Sequence, residues 1–159
     1  KFFSKKISLS LSKQKKLEDS LVLFYYGKPR TSSKIQVELK NNFSKKKKEF
    51  EKILKITERA KKVLYNNMEL DEIGVLLDES WRIKKSLTDK ISNRKVDELY
   101  DFSKSQGAIG GKLLGAGGSG FMLFYVKKNN TKNFIKKISK YHLHIPFSFE
   151  DKGVHIQES

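Results

Sequence analysis

Apolar and polar residues follow one another along this chain in patterns that predict strands first and helices later. Ile7, Leu9 and Leu11 alternate with serines, which is the period of two expected for a half-buried strand. Residues 21–26 are apolar on both faces, as in a central strand, and the Gly-Lys-Pro that follows should end it because proline cannot donate to a ladder. The first 26 residues therefore predict two strands.

Apolar residues at helical spacing predict helices from there to residue 140. The predicted helices are a short one from Thr31 or Ser32 to about Leu39, then 43–65, 69–87, 94–106 and 131–140. In the second long helix Leu70, Ile73, Leu77 and Trp81 form one stripe, and Lys84 follows Trp81 by three positions. Lys84 is thus expected at the edge of the core.

The stretch from Gly107 to Gly120 holds seven glycines in fourteen residues and leads into the apolar run 121–126. Such density is expected where the backbone needs positive φ or must approach a ligand closely. We expect Gly107 to end a helix, and residues 112–114 to pair with 121–126 across a glycine turn. Two more strands are predicted at 145–149 and 154–157, so the fold class is α+β with a mostly antiparallel sheet packed against helices.

Two well-known phosphate-binding loops do not fit this stretch. Gly115 to Gly120 matches G-x-G-x-x-G, but that fingerprint lies between a strand and a helix, and the order here is helix, loop, strand. The P-loop pattern fails because Gln106 stands where its first glycine should be and Leu113 where Ser or Thr should be. A third kind of glycine loop remains.

The segment GAIGGKLLGAGGSGF resembles the C-terminal signature of the GHMP small-molecule kinases, most closely that of the heptose 7-phosphate kinases. The resemblance covers nearly the whole chain. Further matching segments are Leu17-Glu18-Asp19, Leu23-Phe24-Tyr25-Tyr26-Gly27, Arg30, Ser33, Leu76-Leu77, Trp81, Lys84-Lys85-Ser86-Leu87 and Ile91-Ser92-Asn93. Two features depart from the family: Ser119 replaces a usual glycine, and the Gly-Leu-Gly-Ser-Ser nucleotide loop is absent.

The resemblance implies a single ferredoxin-like C-terminal domain over 1–159, in a fragment without the N-terminal nucleotide-binding domain. The full enzyme would use ATP and Mg²⁺ to phosphorylate a hydroxyl of a heptose 7-phosphate or similar sugar, and it would be cytoplasmic. Its base and nucleotide loop would lie upstream, so we expect this chain alone to be inactive, with no catalytic or metal-binding residue of its own. Its partners would be the sugar phosphate and its own N-terminal domain.

Backbone amides in a glycine turn suit phosphoryl transfer, which needs positioning and charge stabilisation. We therefore assign the nucleotide side of the cleft to the turn residues Gly115, Ala116, Gly117, Gly118, Ser119 and Gly120. Lys112, Arg30 and Lys84 are candidate phosphate contacts. For Lys84 the alternative is an ammonium that reaches water over a packed stem, and for Arg30 it is a surface ion pair.

Charge raises a competing class, a nucleic-acid-binding module, because the net charge is +16. The 34 basic residues include only four arginines, however, and arginine supplies most bidentate contacts to bases. Aromatic residues fall in continuous apolar runs rather than among lysines, which favours a core. We therefore expect no specific nucleic-acid partner. A noncatalytic relative that keeps only the small-molecule cleft is a third interpretation.

The cysteine content, the length of the apolar runs and the histidines limit which bonds, partners and metals are expected. Cysteine is absent and no apolar run is long enough to span a membrane, so no disulfide and no membrane partner are expected. His142, His144 and His155 could share a metal, but without cysteines or a nearby carboxylate cluster we interpret them as ordinary surface residues.

Overall fold

The computed structural model describes residues 7–27, 33–66, 68–115 and 120–150, without the side chains at 33 and 34. Six helices and four strands occur in this part of the chain. In order they are α1 (Leu11–Ser20), β1 (Leu21–Tyr26), α2 (Ser33–Asn41), α3 (Lys47–Tyr65), α4 (Asp71–Lys85), α5 (Arg94–Ser105), β2 (Ala108–Leu113), β3 (Gly120–Val126), α6 (Lys128–Ile138) and β4 (Leu143–His144).

The four strands form one antiparallel sheet in the order β2-β3-β1-β4. β1, a helical connection, the β2–β3 hairpin, α6 and β4 succeed one another in the βαββαβ order of ferredoxin-like folds. The predicted α+β class with a mostly antiparallel sheet is therefore confirmed. Sequence-distant strands β1 and β3 lie side by side at the centre, with Leu23 opposite Leu123.

One face of the sheet carries the main core. Phe24 of β1, Phe124 of β3 and Phe134 of α6 are fully buried and lie with ring centroids 5.7 to 6.5 Å apart. Such edge-on aromatic packing adds to the free energy gained by burying these rings. Among the aromatics of the apolar runs, Phe24, Phe124 and Tyr125 are buried and Tyr25 and Tyr26 are partly buried, which agrees with the predicted use in packing.

A second apolar cluster joins α3 to α4 through Ile56, Val63 and Leu76. Arg59 of α3 adds two ion pairs to α4, at 2.9 Å to Glu72 and 2.7 Å to Glu79. The α3 helix therefore supports α4 from the side away from the sheet, which fixes α4 against strand β2.

The predicted strand at residues 7–11 is wrong. Residues 7–10 form no strand, and α1 begins at Leu11, whose side chain is 85% exposed. The Ser10 hydroxyl accepts a hydrogen bond from the Lys13 amide at 3.2 Å, which caps the helix. The alternating serines predict the polar face of a strand, but Ser10 is the N-cap of helix α1.

The C-terminal strands were also misplaced. Residues 145–150 form no strand; instead Leu143 and His144 pair with β1. The Ile145 amide still donates to the Leu23 carbonyl at 2.8 Å, but Pro146 follows and has no amide hydrogen to continue the ladder. The strand predicted at 154–157 lies outside the described residues.

The longer predicted helices are confirmed with shifted ends. The one predicted at 43–65 begins at Lys47 because residues 42–46 form a turn, and that at 131–140 begins and ends earlier, as α6. Gly107 has φ +104 directly after α5, which agrees with its predicted role as a helix terminator.

Candidate functional site at the glycine-rich end of the sheet

Strands β2 and β3 meet at one end of the sheet in the glycine-rich turn. The Leu114 amide donates to the Phe121 carbonyl at 2.8 Å, which closes the hairpin beside the turn. Gly115 and Gly120 flank it with φ of +79 and +119, which a residue with a Cβ rarely adopts. Residues 116–119 and Arg30 lie outside the described residues, so their predicted roles stay predictions.

The glycine-rich segment is less of a loop than the sequence indicated. Gly110 and Gly111 lie within β2, which begins at Ala108, four residues before the predicted strand. A Cβ at Gly110 would lie 2.0 Å from the Gly74 carbonyl oxygen of α4, and one at Gly111 would lie 2.5 Å from the Leu123 carbonyl oxygen. These two glycines therefore allow backbone to pack against backbone, and only the glycines after Leu113 belong to the turn.

Helix α4 runs along the outside of β2 towards the turn. Its last turn carries Lys84, whose ammonium donates to the Gly115 carbonyl at 2.7 Å and makes a weaker contact with the Leu113 carbonyl at 3.5 Å. Burial, together with the nearby charge of Lys112, lowers the pKa of Lys84 to about 8. The predicted position at the core edge is confirmed, but the contacts found are with the turn itself.

Lys112 lies on β2 opposite Leu123, on the sheet face away from the phenylalanine core. Burial lowers the pKa of this lysine too. Among the described residues its ammonium has no hydrogen-bond or ion-pair partner, whereas many other lysines of the described chain pair with a carboxylate. Two partly buried ammonium groups thus lie near one another beside the turn, which favours binding of an anion there.

A buried polar group that sequence analysis missed holds this arrangement together. Asp78 of α4 is only 8% exposed and accepts hydrogen bonds from the Tyr100 hydroxyl of α5 and from Arg82. Burial, followed by the bond to Asp78, raises the pKa of Tyr100, and a Cβ at Gly110 of β2 would lie 2.8 Å from the Asp78 side chain. Asp78 therefore connects α4, α5 and the edge of β2.

The signal for Asp78 was present in the sequence. Gly74, Asp78 and Trp81 recur at spacings of four and three, which puts them on one face of α4 with Lys84 another three residues on. A carboxylate on an otherwise apolar or small-residue face calls for a buried partner. Tyr100 could be found as that partner only from the tertiary structure.

The two described histidines, His142 and His144, are half-buried and lie against aromatic rings. His144 lies 5.6 Å from the Phe24 ring and His142 lies 6.0 Å from the Tyr26 ring, measured between ring centroids. Burial lowers the pKa of both. His155 lies outside the described residues. The part of the chain that the structure describes contains no group of three or more His, Asp or Glu side chains arranged to hold a metal ion.

The described residues form an α+β domain with a ferredoxin-like sheet, and Lys84 and Lys112 lie beside the glycine turn at one end of that sheet. The sequence model of the family described as "GHMP kinases C terminal" matches residues 60–141, which is more than half of the chain. This chain therefore belongs to the GHMP kinase C-terminal family. None of the helices in the described segments is both long and apolar enough to cross a membrane.

Individual relatives agree with this assignment. The D-glycero-alpha-D-manno-heptose 7-phosphate kinase of Campylobacter jejuni is 36% identical over 83 residues, which cover 52% of this chain and 24% of that protein. The mevalonate kinase of Thermococcus onnurineus is 30% identical over 112 residues, covering 67% of this chain and 34% of that protein. The chain thus spans a quarter to a third of the length of these relatives.

The fold is also found in a solved structure. The D-glycero-D-manno-heptose 1-phosphate kinase from Bacteroides thetaiotaomicron superposes with a TM-score of 0.62 at 21% identity, covering 95% of this chain and 40% of that one. At this identity the likeness establishes the fold, and nearly all of this chain takes part in it.

Proposed function

We propose that this chain is the C-terminal part of an ATP-dependent sugar kinase and that Lys112 contacts a phosphate group in its cleft. The observation that carries the proposal is the partly buried Lys112 ammonium, which has no partner among the described residues and lies beside both Lys84 and the glycine turn. A buried cation without a partner is costly, and a bound phosphate oxygen would compensate for the lost hydration.

The glycine turn would shape the cleft and stabilise developing negative charge. Its residues Gly115 to Gly120 present backbone amides without bulky side chains, and amides fixed in position are effective where phosphoryl transfer spreads charge over oxygen atoms. Strand β1 ends at Tyr26, which lies opposite Gly120 beside the turn, and Arg30, four residues further along the sequence, is a second candidate phosphate contact. Lys84 is the third candidate phosphate contact. Two of the three protons of its ammonium point to carbonyl oxygens, so one proton is left to donate to a phosphate.

The remaining parts of the enzyme would come from an N-terminal domain of the same protein. This chain spans a minor share of its relatives, and neither a nucleotide loop of the Gly-Leu-Gly-Ser-Ser kind nor a general base is assigned within it. Lysine and backbone amides fit the phosphates of ATP. They do not fit Mg²⁺, which prefers carboxylate oxygens, so no step is assigned to that ion here.

For the substrate we propose a heptose 7-phosphate, with a sugar of similar size as the broader class. Support comes from the activity for which the Campylobacter jejuni relative is named and from the matching segments along the chain. The mevalonate kinases among the relatives make mevalonate the competing acceptor. A kinase of sugar phosphates would work in the cytoplasm, where ATP is available.

The test is a phosphotransfer assay on the full-length protein with ATP and a panel of acceptors: a heptose 7-phosphate, its dephosphorylated heptose, and mevalonate. We expect turnover with the heptose 7-phosphate. Lys112→Met should raise KM for an anionic substrate about 10- to 100-fold, since a charge-assisted hydrogen bond contributes about 1.5 to 3 kcal/mol.

Lys132→Met is the matched control, because Lys132 is an exposed lysine of α6 and no hydrogen bond or ion pair joins it to the described residues of the glycine turn. Its kinetics should equal those of the wild type. Turnover of mevalonate alone would replace the sugar assignment. Absence of any phosphotransfer by the folded full-length protein would favour the noncatalytic relative.

A further inference from the structure

Lys84 makes a contact that the sequence did not suggest: it joins the end of a helix to the start of the glycine turn. The ammonium reaches across from the last turn of α4 to two carbonyl oxygens, those of Leu113, the last residue of β2, and of Gly115, the first positive-φ residue of the turn. These two carbonyls mark the point at which the chain leaves the sheet.

Cations near helix C-termini commonly interact with the last carbonyls of their own helix. Lys84 does not do so here, because its acceptors belong to the β2–β3 segment, 29 and 31 residues further along. The helix itself is anchored independently of this contact. The Gly74–Gly110 approach fixes the earlier turns of α4 against β2, and the Asp78–Tyr100 hydrogen bond joins them to α5. Lys84 therefore extends from an element that is already held in place.

We propose that Lys84 is a positioning residue of the glycine turn, and that it fixes the direction in which the turn leaves strand β2 rather than contacting the substrate itself. Its effect on catalysis rests on the proposed function, but its effect on the turn does not. A turn that donates amides to a phosphate must hold those amides in place within a fraction of an ångström. The Lys84 ammonium restrains the peptide groups at the start of the turn through its hydrogen bond to the Gly115 carbonyl and its weaker contact with the Leu113 carbonyl.

The contact also has a pH dependence. Among the described residues the charged group that faces Lys84 is Lys112 on β2, and no carboxylate stabilises the Lys84 ammonium. With a pKa of about 8, the ammonium loses its proton as the pH rises above that value. A neutral amine is a weaker donor to carbonyl oxygens, so the tie should loosen in mildly alkaline solution. An arginine at position 84 would remain charged there.

The first experiment measures hydrogen exchange in the full-length protein, in a peptide covering residues 111–122. Lys84→Met should speed exchange in this peptide about tenfold or more by lowering the cost of local opening, with exchange elsewhere unchanged. Lys132→Met, on the exposed side of α6, should change nothing. If Lys84→Met does not fold, Lys84→Gln replaces it. Glutamine keeps a shorter amide donor, so exchange in the peptide should be faster than in the wild type, but by a smaller factor.

The second experiment measures kinetics with ATP and a heptose 7-phosphate. Lys84→Met should lower kcat about 10- to 100-fold while both KM values stay within about twofold, as expected for misplaced donors. For each protein the ratio of kcat at pH 9 to kcat at pH 7 is compared. This ratio should be higher for Lys84→Arg than for the wild type.

Unchanged exchange in the 111–122 peptide would overturn the proposal, as would a raised KM for one substrate with kcat preserved, which indicates direct contact. Altered exchange in a protein without phosphotransfer activity would support the positioning role and reject the kinase assignment, so the two failures are separable.

Discussion

Gly74 of α4 and Gly110 of β2 touch through backbone alone: a Cβ built on Gly110 would lie 2.0 Å from the Gly74 carbonyl oxygen. The same Cβ would also lie 2.8 Å from the backbone nitrogen of Asp78. A helix and a strand can approach so closely only where neither residue has a side chain between them. This contact sets the distance of α4 from the sheet, and through Lys84 it influences the position of the glycine turn.

Gly110→Ala should therefore destabilise the chain, because either α4 or β2 must move to admit the methyl group. We expect a loss of about 2 to 3 kcal/mol or more in the free energy of unfolding, measured by urea denaturation. Gly27→Ala is the control, since among the described residues no atom lies within 4 Å of a Cβ there and its φ of +67 is the unfavourable feature. That strain should cost about 1 kcal/mol. An equal loss in the two variants would refute the close-contact explanation.

The buried pair of Asp78 and Tyr100 gives a second prediction. Tyr100→Phe removes the hydroxyl that donates to Asp78 without leaving a large cavity, and should cost about 1 to 3 kcal/mol, as for a hydrogen bond to a charged group. Asp78→Asn and the double variant complete a double-mutant cycle by urea denaturation. A coupling energy near zero would show that the two side chains stabilise the fold independently.

These contacts show which parts of the structure the sequence could supply. Local pattern was sufficient for β1, for α5 ending at Gly107, and for placing Lys84 beside the core, because each depends on neighbours within a few residues. It failed at α1, where a serine that caps a helix also completes an alternating pattern. A single sequence cannot distinguish these two uses of serine.

The remaining misses depend on tertiary structure. Gly110 looked like part of a loop because nothing in its own neighbourhood reveals that α4 packs against it. The carbonyl contacts of Lys84 were also missing from the sequence analysis, because Leu113 and Gly115 become its neighbours only when α4 lies along β2. The spacing of Gly110 and Lys84 in the sequence does not reveal which residues of other elements they contact.

The two described histidines predict a loss of stability in mild acid. Burial lowers the pKa of His142 and His144 below the ordinary value of 6.5, so the unfolded chain takes up protons before the folded one as the pH falls. Stability should be full above about pH 6.5 and should decline as the pH falls towards the folded-state pKa values. The His142→Asn and His144→Asn double variant should show a flatter dependence between about pH 5 and 7, measured by urea denaturation. A slope equal to that of the wild type would contradict this.

Gly117 lies outside the described residues, and the prediction for it follows from the glycine density around it. Gly117→Val in the full-length protein should remove most phosphotransfer activity while leaving the fold largely intact. A β-branched residue strongly disfavours positive φ, and its methyl groups would occupy space needed by a phosphate. Since displaced donors are costly in phosphoryl transfer, kcat/KM per folded molecule should fall by about 100-fold or more.

The Gly117→Val result is decided by measuring kcat/KM for ATP and sugar beside the thermal unfolding of the same preparation. If the turn serves only to reverse the chain, the substitution should lower the Tm, and the molecules that remain folded should have near-normal kinetics. A turn that binds phosphate would keep most of its Tm and lose turnover. The two measurements separate these cases because surface turns contribute little to the core on which Tm depends, whereas an amide moved by less than an ångström no longer meets the transferring phosphoryl group.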